Sequence, residues 1–193
     1  MKRLLITCFE PFGGSERNAS QMAVAALPDT IFGYKLHKLC LPVVFGSAGE
    51  QVAAAIGEIR PDAVICVGEA GGRAAITPEM VAINLRYARI SDNAGNAPQD
   101  EPVRADGENA LFSTLPVRAM AAAIEAAGIP AAVSYSAGTY VCNDTMYLVL
   151  EHLRDTGIPA GFIHVPAGDV LTAEQLATGL AAAIETLAVA AEK

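Results

Sequence analysis

Cys142 lies in the stretch SYSAGTYVCN at 134–143, and His164 lies in GFIHVP at 161–166. A thiol and an imidazole are what a covalent acyl-transfer site needs: a nucleophile, and a base to take its proton. The apolar run before Cys142 reads as a strand over 131–136 and the pattern after it as a helix over 144–154, so the thiol falls at a strand-to-helix turn. There the positive end of the helix dipole and free backbone N–H groups favour a thiolate and can hold a developing oxyanion. Taken alone, such a cysteine is more readily a small hydrophobe filling a turn. His164 changes that reading. It ends the apolar run 161–165, one helix and one strand further on, so a crossover connection carries both residues to the same carboxyl edge of a parallel sheet. Ligands and catalysis in open α/β sheets collect at that edge. His37, between Leu36 and Lys38 in a strand pattern, and His152, on a helix surface, lack this placement.

A third group is needed to fix the imidazole tautomer. Glu79, in ITPEMVAIN at 76–84, fits as a carboxylate on a loop entering an apolar strand; spacing alone leaves Asp144 and Asp169 open beside it. The Gly-rich GEAGGR at 68–73 follows a strand pattern and invites comparison with a phosphate cradle. It lacks the Walker lysine and the Rossmann spacing, and no helix pattern follows it, which argues against that role.

The elements that must position these residues alternate short apolar runs with longer amphipathic, Ala-rich stretches, the pattern of strands and crossover helices around a mostly parallel sheet. Strands are predicted at 3–7, 34–41, 63–67, 80–86, 131–136 and 161–165. Helices are predicted at about 47–59, 115–127 and 172–190, besides the one that follows Cys142. Ser47 with Glu50 and Thr172 with Gln175 read as capping boxes, and Pro116 suits a first helical turn. The recurrence GIPA at 128–131 and 157–160 marks two copies of one helix-to-strand junction. Residues 91–107 form the one long aperiodic stretch, and a loop of that length in a compact domain is more often functional or interfacial than idle.

The chain as a whole has 193 residues, 52% of them apolar, enough for one domain with a packed core over 1–193. A formal net charge of −8 with no basic block makes nucleic acid and anionic membrane surfaces poor partners. No apolar run is long enough to span a bilayer. The four cysteines, Cys8, Cys40, Cys66 and Cys142, form no CxxC pair and no metal-ligand cluster. A metal site and a disulfide framework are therefore not expected, and a reducing cytoplasm is the natural compartment. Cys40 and Cys66, inside apolar strand patterns, are expected to be inaccessible.

The motifs CFEPFGG at 8–14, GEAGGR at 68–73, ITPEMVAIN at 76–84, ARISDN at 88–93, SAGTYVCN at 136–143 and FIHVP at 162–166 together resemble the pyroglutamyl-peptidase I family of cysteine peptidases, in the family's order and spacing. The resemblance covers most of the chain. It implies an α/β/α sandwich with a mostly parallel, mixed sheet, a Cys-His-Glu triad, no cofactor, and removal of amino-terminal pyroglutamate from peptides. Carried over, Cys142 is the nucleophile, His164 the base and Glu79 its orienter, with Arg89 and the Cys142 N–H at the oxyanion hole. The lactam ring would lie among Phe9, Phe12, Val43, Glu69, Ile90, Tyr140 and Val141, with Asn18 meeting its polar edge. A homo-oligomer, by resemblance a tetramer, is expected.

Two other readings stay open on the sequence alone. One is a catalytically silent lactam- or peptide-binding protein on the same fold. The other is a nucleoside-phosphorylase-like transferase, which would need phosphate.

Overall fold

A computed structural model describes residues 1–190. The elements in chain order are β1 (Lys2–Phe9), α1 (Ala19–Ala26), β2 (Thr30–Ile31), β3 (Tyr34–Leu41), α2 (Ser47–Ile59), β4 (Ala63–Glu69), β5 (Thr77–Pro78), β6 (Val81–Ile83), β7 (Ala110–Phe112), α3 (Val117–Ala126), α4 (Val141–His152), β8 (Ala160–Val165) and α5 (Ala173–Ala190). Six strands form one sheet in the order β2-β3-β1-β4-β8-β5, and β6 pairs with β7 in a separate two-stranded ribbon. β3, β1, β4 and β8 are parallel, while β2 and β5 run antiparallel at the two edges.

The central strands are buried on both faces, as a covered parallel sheet requires, so they read as continuous apolar runs. One face packs Leu4, Ile6, Ile65, Val67, Ile163 and Val165 against α1, α3 and α5. The opposite face packs Leu5, Val64, Cys66 and Phe162 against α2 and α4. This is the α/β/α sandwich expected, a single-domain fold with a mostly parallel mixed sheet. The last three residues of the 1–193 span assigned to that domain lie outside the described residues.

Three local expectations require correction. Residues 131–136 form no strand: Ala131 and Ser134 make isolated parallel bridges to Ile76 and Glu79. The segment follows Pro130, which lacks a backbone donor, and exchanges only a few bonds with the 76–80 segment: Ala132 N–H to Ile76 O, Ser134 N–H to Pro78 O, Met80 N–H to Ser134 O. The strand predicted over 80–86 shrinks to β6, because the chain first joins the main sheet as β5 and then turns away to meet β7. The Ser47–Glu50 capping box does not form; the N-cap of α2 is Gly46, at φ 75°, and the Ser47 hydroxyl instead accepts from Gln51. The Thr172–Gln175 box is present, with Thr172 N–H donating to Gln175 Oε1 at 2.9 Å and Gln175 N–H to Thr172 Oγ1 at 3.3 Å. Helix α1, β2, β5 and β7 were not anticipated from periodicity.

Candidate active site

The carboxyl ends of β1, β4 and β8 place Phe9, Glu69 and His164 along one edge of the sheet. α4 brings Cys142 to the same edge as its second residue, so the Cys142 N–H is one of the first-turn amides that have no intrahelical acceptor. A cavity of about 110 Å³ opens there, lined by Phe9, Phe12, Asn18, Val43, Glu69, Ala137, Tyr140, Val141, Cys142 and His164. Other surface hollows are larger, but none of those described contains the thiol or the imidazole.

His164 is pinned by two ladders, in register with Gly68 of β4 on one side and Thr77 of β5 on the other. Its Nδ1 lies 2.7 Å from Glu79 Oε1. Glu79 is fully buried just after β5, with its N–H donating to Phe162 O and the next N–H donating to Ser134 O. An ionised carboxylate accepts only, so Nδ1 carries the hydrogen and Nε2 is left as the ring's base. Asp144 is not available for that role: it is buried on α4, where Oδ1 accepts from Arg86 Nε at 2.6 Å and Oδ2 from Gly46 N–H at 2.7 Å. Asp169 is exposed and lines a different hollow.

Arg73 completes the group. Its Nη1 lies 2.5 Å from the same Glu79 Oε1 and also donates to Thr77 Oγ1, and its Nη2 donates to Ser136 O at 3.0 Å. Sequence reasoning passed over Arg73; the signal was a cation closing the Gly-rich loop six residues before a candidate carboxylate.

Burial opposes ionisation of Glu79, but the hydrogen bond and charge of His164 and the Arg73 charge outweigh it and hold the carboxyl below its usual range. Burial lowers the proton affinity of His164; Glu79 counteracts this and Arg73 adds to it, with a net downward shift. Burial also pushes the Cys142 thiol up to about 12, assisted by the negative charge of Glu79 and by Cys66, and opposed by Arg73. Burial thus works against the thiolate that the helix start favours.

Of the residues assigned to the lactam pocket by resemblance, Phe9, Phe12, Asn18, Val43, Glu69, Tyr140 and Val141 line the cavity. The Tyr140 ring packs edge-on against Phe45 at 5.3 Å and tilted against Phe12 at 6.2 Å. Asn18 Oδ1 is taken by Ser20, whereas Nδ2 donates to Glu10 O and keeps a second hydrogen. Glu69 Oε2 accepts from Ala19 N–H at 2.6 Å, so its charge also serves the first turn of α1. Ile90 and Arg89 are exposed on the neighbouring loop and do not line the cavity in this structure. Cys40, expected to be inaccessible, is exposed, because β3 is covered on that side only as far as Leu36; Cys66 and Cys8 are buried.

An α/β/α sandwich that sets a cysteine at a helix start beside a buried histidine–carboxylate pair defines a hydrolase of the cysteine-peptidase class. The family model described as pyroglutamyl peptidase matches residues 2–193. A protein of Levilactobacillus brevis named pyrrolidone-carboxylate peptidase is 53% identical over 167 residues, covering 85% of this chain and 81% of the relative. The crystal structure of Bacillus amyloliquefaciens pyroglutamyl peptidase I superposes with a TM-score of 0.91 at 36% identity, covering 98% of each chain. Pyrrolidone carboxyl peptidase from Thermococcus litoralis gives a TM-score of 0.91 at 34% identity, covering 100% of this chain and 97% of that one. The chain belongs to the pyroglutamyl peptidase family.

Proposed function

We propose that the protein hydrolyses the bond after an amino-terminal pyroglutamyl residue through Cys142, His164 and Glu79. The observation that carries this reading is the shared cavity: thiol and imidazole line one small, mainly apolar hollow, and the imidazole is held by a buried carboxylate at 2.7 Å. His164 Nε2 takes the thiol proton as Cys142 Sγ bonds to the pyroglutamyl carbonyl carbon. The tetrahedral oxyanion is met by the Cys142 N–H at the α4 start, with Arg89 assigned to the same oxyanion by the family resemblance. Collapse breaks the C–N bond, and the proton on Nε2 passes to the departing amine. Water, deprotonated by the same nitrogen, then cleaves the thioester and frees pyroglutamate and the thiol.

No step requires a cofactor. The four cysteines are free, which supports a cytoplasmic setting, and among the described residues no helix is long and apolar enough to cross a membrane. We also infer that the whole chain works as one peptidase domain and assembles as a homo-oligomer, a tetramer by the family resemblance.

Turnover of a pyroglutamyl amide beside prolyl and glutamyl amides tests the reading. The pyroglutamyl amide should be cleaved with an initial burst of amine at enzyme concentration, and Cys142→Ala should abolish both burst and turnover. Binding of pyroglutamyl peptides without a burst would favour a silent binding protein, and turnover only with phosphate would favour a transferase.

A further inference from the structure

Arg73 is the charged group that the chemistry above leaves unused. It is about a quarter exposed, yet its guanidinium reaches inward to the fully buried Glu79 and donates to the oxygen that also receives His164 Nδ1–H. Its other bonds go to Thr77 and the Ser136 carbonyl, so three points of the chain fix the fork. Thr77 is the register partner of His164, and Ser136 lies on the segment leading to Cys142. Glu79 Oε2 is buried and has no hydrogen-bond partner among the described residues. A carboxylate with one bare oxygen in an apolar site has reason to rotate or take up a proton; two donors on the other oxygen prevent both.

We propose that Arg73 is a positioning residue of this active site, locking the Glu79 carboxylate onto His164 Nδ1 so that the imidazole presents an unprotonated Nε2 to the thiol. The inference rests on the catalytic reading given above. Arg73 does not line the cavity; it acts through the Glu79 carboxylate that it bonds and through its charge near the imidazole.

Arg73 holds a second charge near the imidazole, and this gives the role a signature that simple structural support lacks. The ionisable groups around His164 are Glu79 after β5, Arg73 on the β4–β5 loop, Cys66 and Glu69 on β4, and Cys142 on α4. Among them only Arg73 is a cation. Arg73→Gln removes the charge but keeps an amide donor toward Glu79, so with Glu79 still ionised protonation of His164 becomes easier and the pH below which the free enzyme loses its base rises.

The test compares Arg73→Gln and Arg73→Lys with the parent protein, all carrying Cys40→Ser so that the exposed thiol does not compete for reagent. Two profiles against pH are recorded: kcat/KM on a pyroglutamyl amide, and the rate of Cys142 alkylation by iodoacetamide read by peptide mapping. Arg73→Gln should lower kcat/KM at pH 7 by roughly 10- to 100-fold and move the acid limb of both profiles upward by about one pH unit. Arg73→Lys keeps the charge without the fork; its acid limb should stay with the parent while kcat remains reduced. An acid limb unmoved in Arg73→Gln, or moved equally in Arg73→Lys, overturns the proposal. Thermal melts identify any variant that fails to fold, and Arg73→Lys then carries the comparison. If the parent cleaves no pyroglutamyl amide, the catalytic reading falls, and the alkylation profiles still decide the role of Arg73.

Discussion

Gly68 lies directly against Cys142: a Cβ on this glycine would stand 2.9 Å from Cys142 Sγ and 2.7 Å from Phe162 Cζ. The first glycine of GEAGGR thus serves to let the thiol approach β4, and the conformational freedom of glycine has no part in it. Gly68→Ala should displace the sulfur or the Phe162 ring, costing about 1–3 kcal/mol of stability as an overpacked site and lowering kcat/KM more than tenfold. Thermal melts and steady-state kinetics on the same preparation check both; unchanged kinetics would mean that the sulfur tolerates the shift.

Acid should weaken the fold as well as the reaction. Both members of the buried pair have lowered proton affinities in the folded chain. For His164, the unfolded chain binds the proton more readily, so stability is complete above an ordinary histidine value of about 6.5 and falls as pH drops below it. For Glu79, the stabilisation present above the ordinary carboxylate range is lost as pH falls through the depressed value. Denaturant unfolding from pH 8 to pH 4 should show stability declining from near pH 6.5 downward, and His164→Asn should flatten the upper part of that decline. A profile unaffected by the substitution would remove His164 from the account.

Thiol labelling should follow exposure and proton transfer together. Cys40 is exposed, Cys8 and Cys66 are buried and their thiols pushed up to about 12, and Cys142 has His164 in the same cavity. Iodoacetamide should modify Cys40 and Cys142, with loss of activity tracking Cys142 only. Cys40→Ser should leave activity within about twofold, as a surface substitution away from the site, whereas His164→Ala should slow Cys142 labelling strongly. Peptide mapping against residual activity decides this.

Selectivity should favour the neutral lactam. A hollow of about 110 Å³ walled by Phe9, Phe12, Val43 and Tyr140 makes an amino-terminal glutamate lose its hydration without a lysine or arginine among the lining residues to meet its carboxylate. Pyroglutamyl amides should exceed glutamyl amides in kcat/KM by at least about 100-fold, close to 3 kcal/mol. Glu69→Gln should narrow that gap by removing a repelling carboxylate. Comparable rates on the two substrates would show that the lactam does not bind here.

Much of this arrangement was legible in the sequence because it rests on long, covered strands. β3 and α2 lie at the predicted positions, and Cys142 and His164 arrive at one edge through the crossover between α4 and β8. What escaped was held by non-local bonds. β6 pairs with β7 across a long loop, and two-residue strands such as β5 carry no periodicity. α1 is short and Ala-rich; its cap is Asn18, whose side chain accepts from Ser20 N–H, a signal that lay within a stretch without a clear apolar face. The helix start at Cys142 is visible in the sequence, whereas the burial that works against its thiolate is not. Choosing Glu79 over Asp144 required seeing that Asp144 is already spent on Arg86 and Gly46.

Asn143, adjacent to Cys142 and fully buried, accepts from Ile83 N–H through Oδ1 and donates through Nδ2 to the carbonyls of Ile83 and Leu85. One side chain thereby imitates a neighbouring strand for the ribbon that continues from Glu79. These bonds tie α4 to the segment that follows Glu79, although 60 positions separate Asn143 from Ile83. Amide hydrogen exchange at Ile83 becomes a remote gauge of this joint. Slow exchange there reports an intact seat for Cys142 even in a sample with no substrate present, and a chain nicked anywhere in the long 91–107 loop could keep its two pieces aligned through this joint.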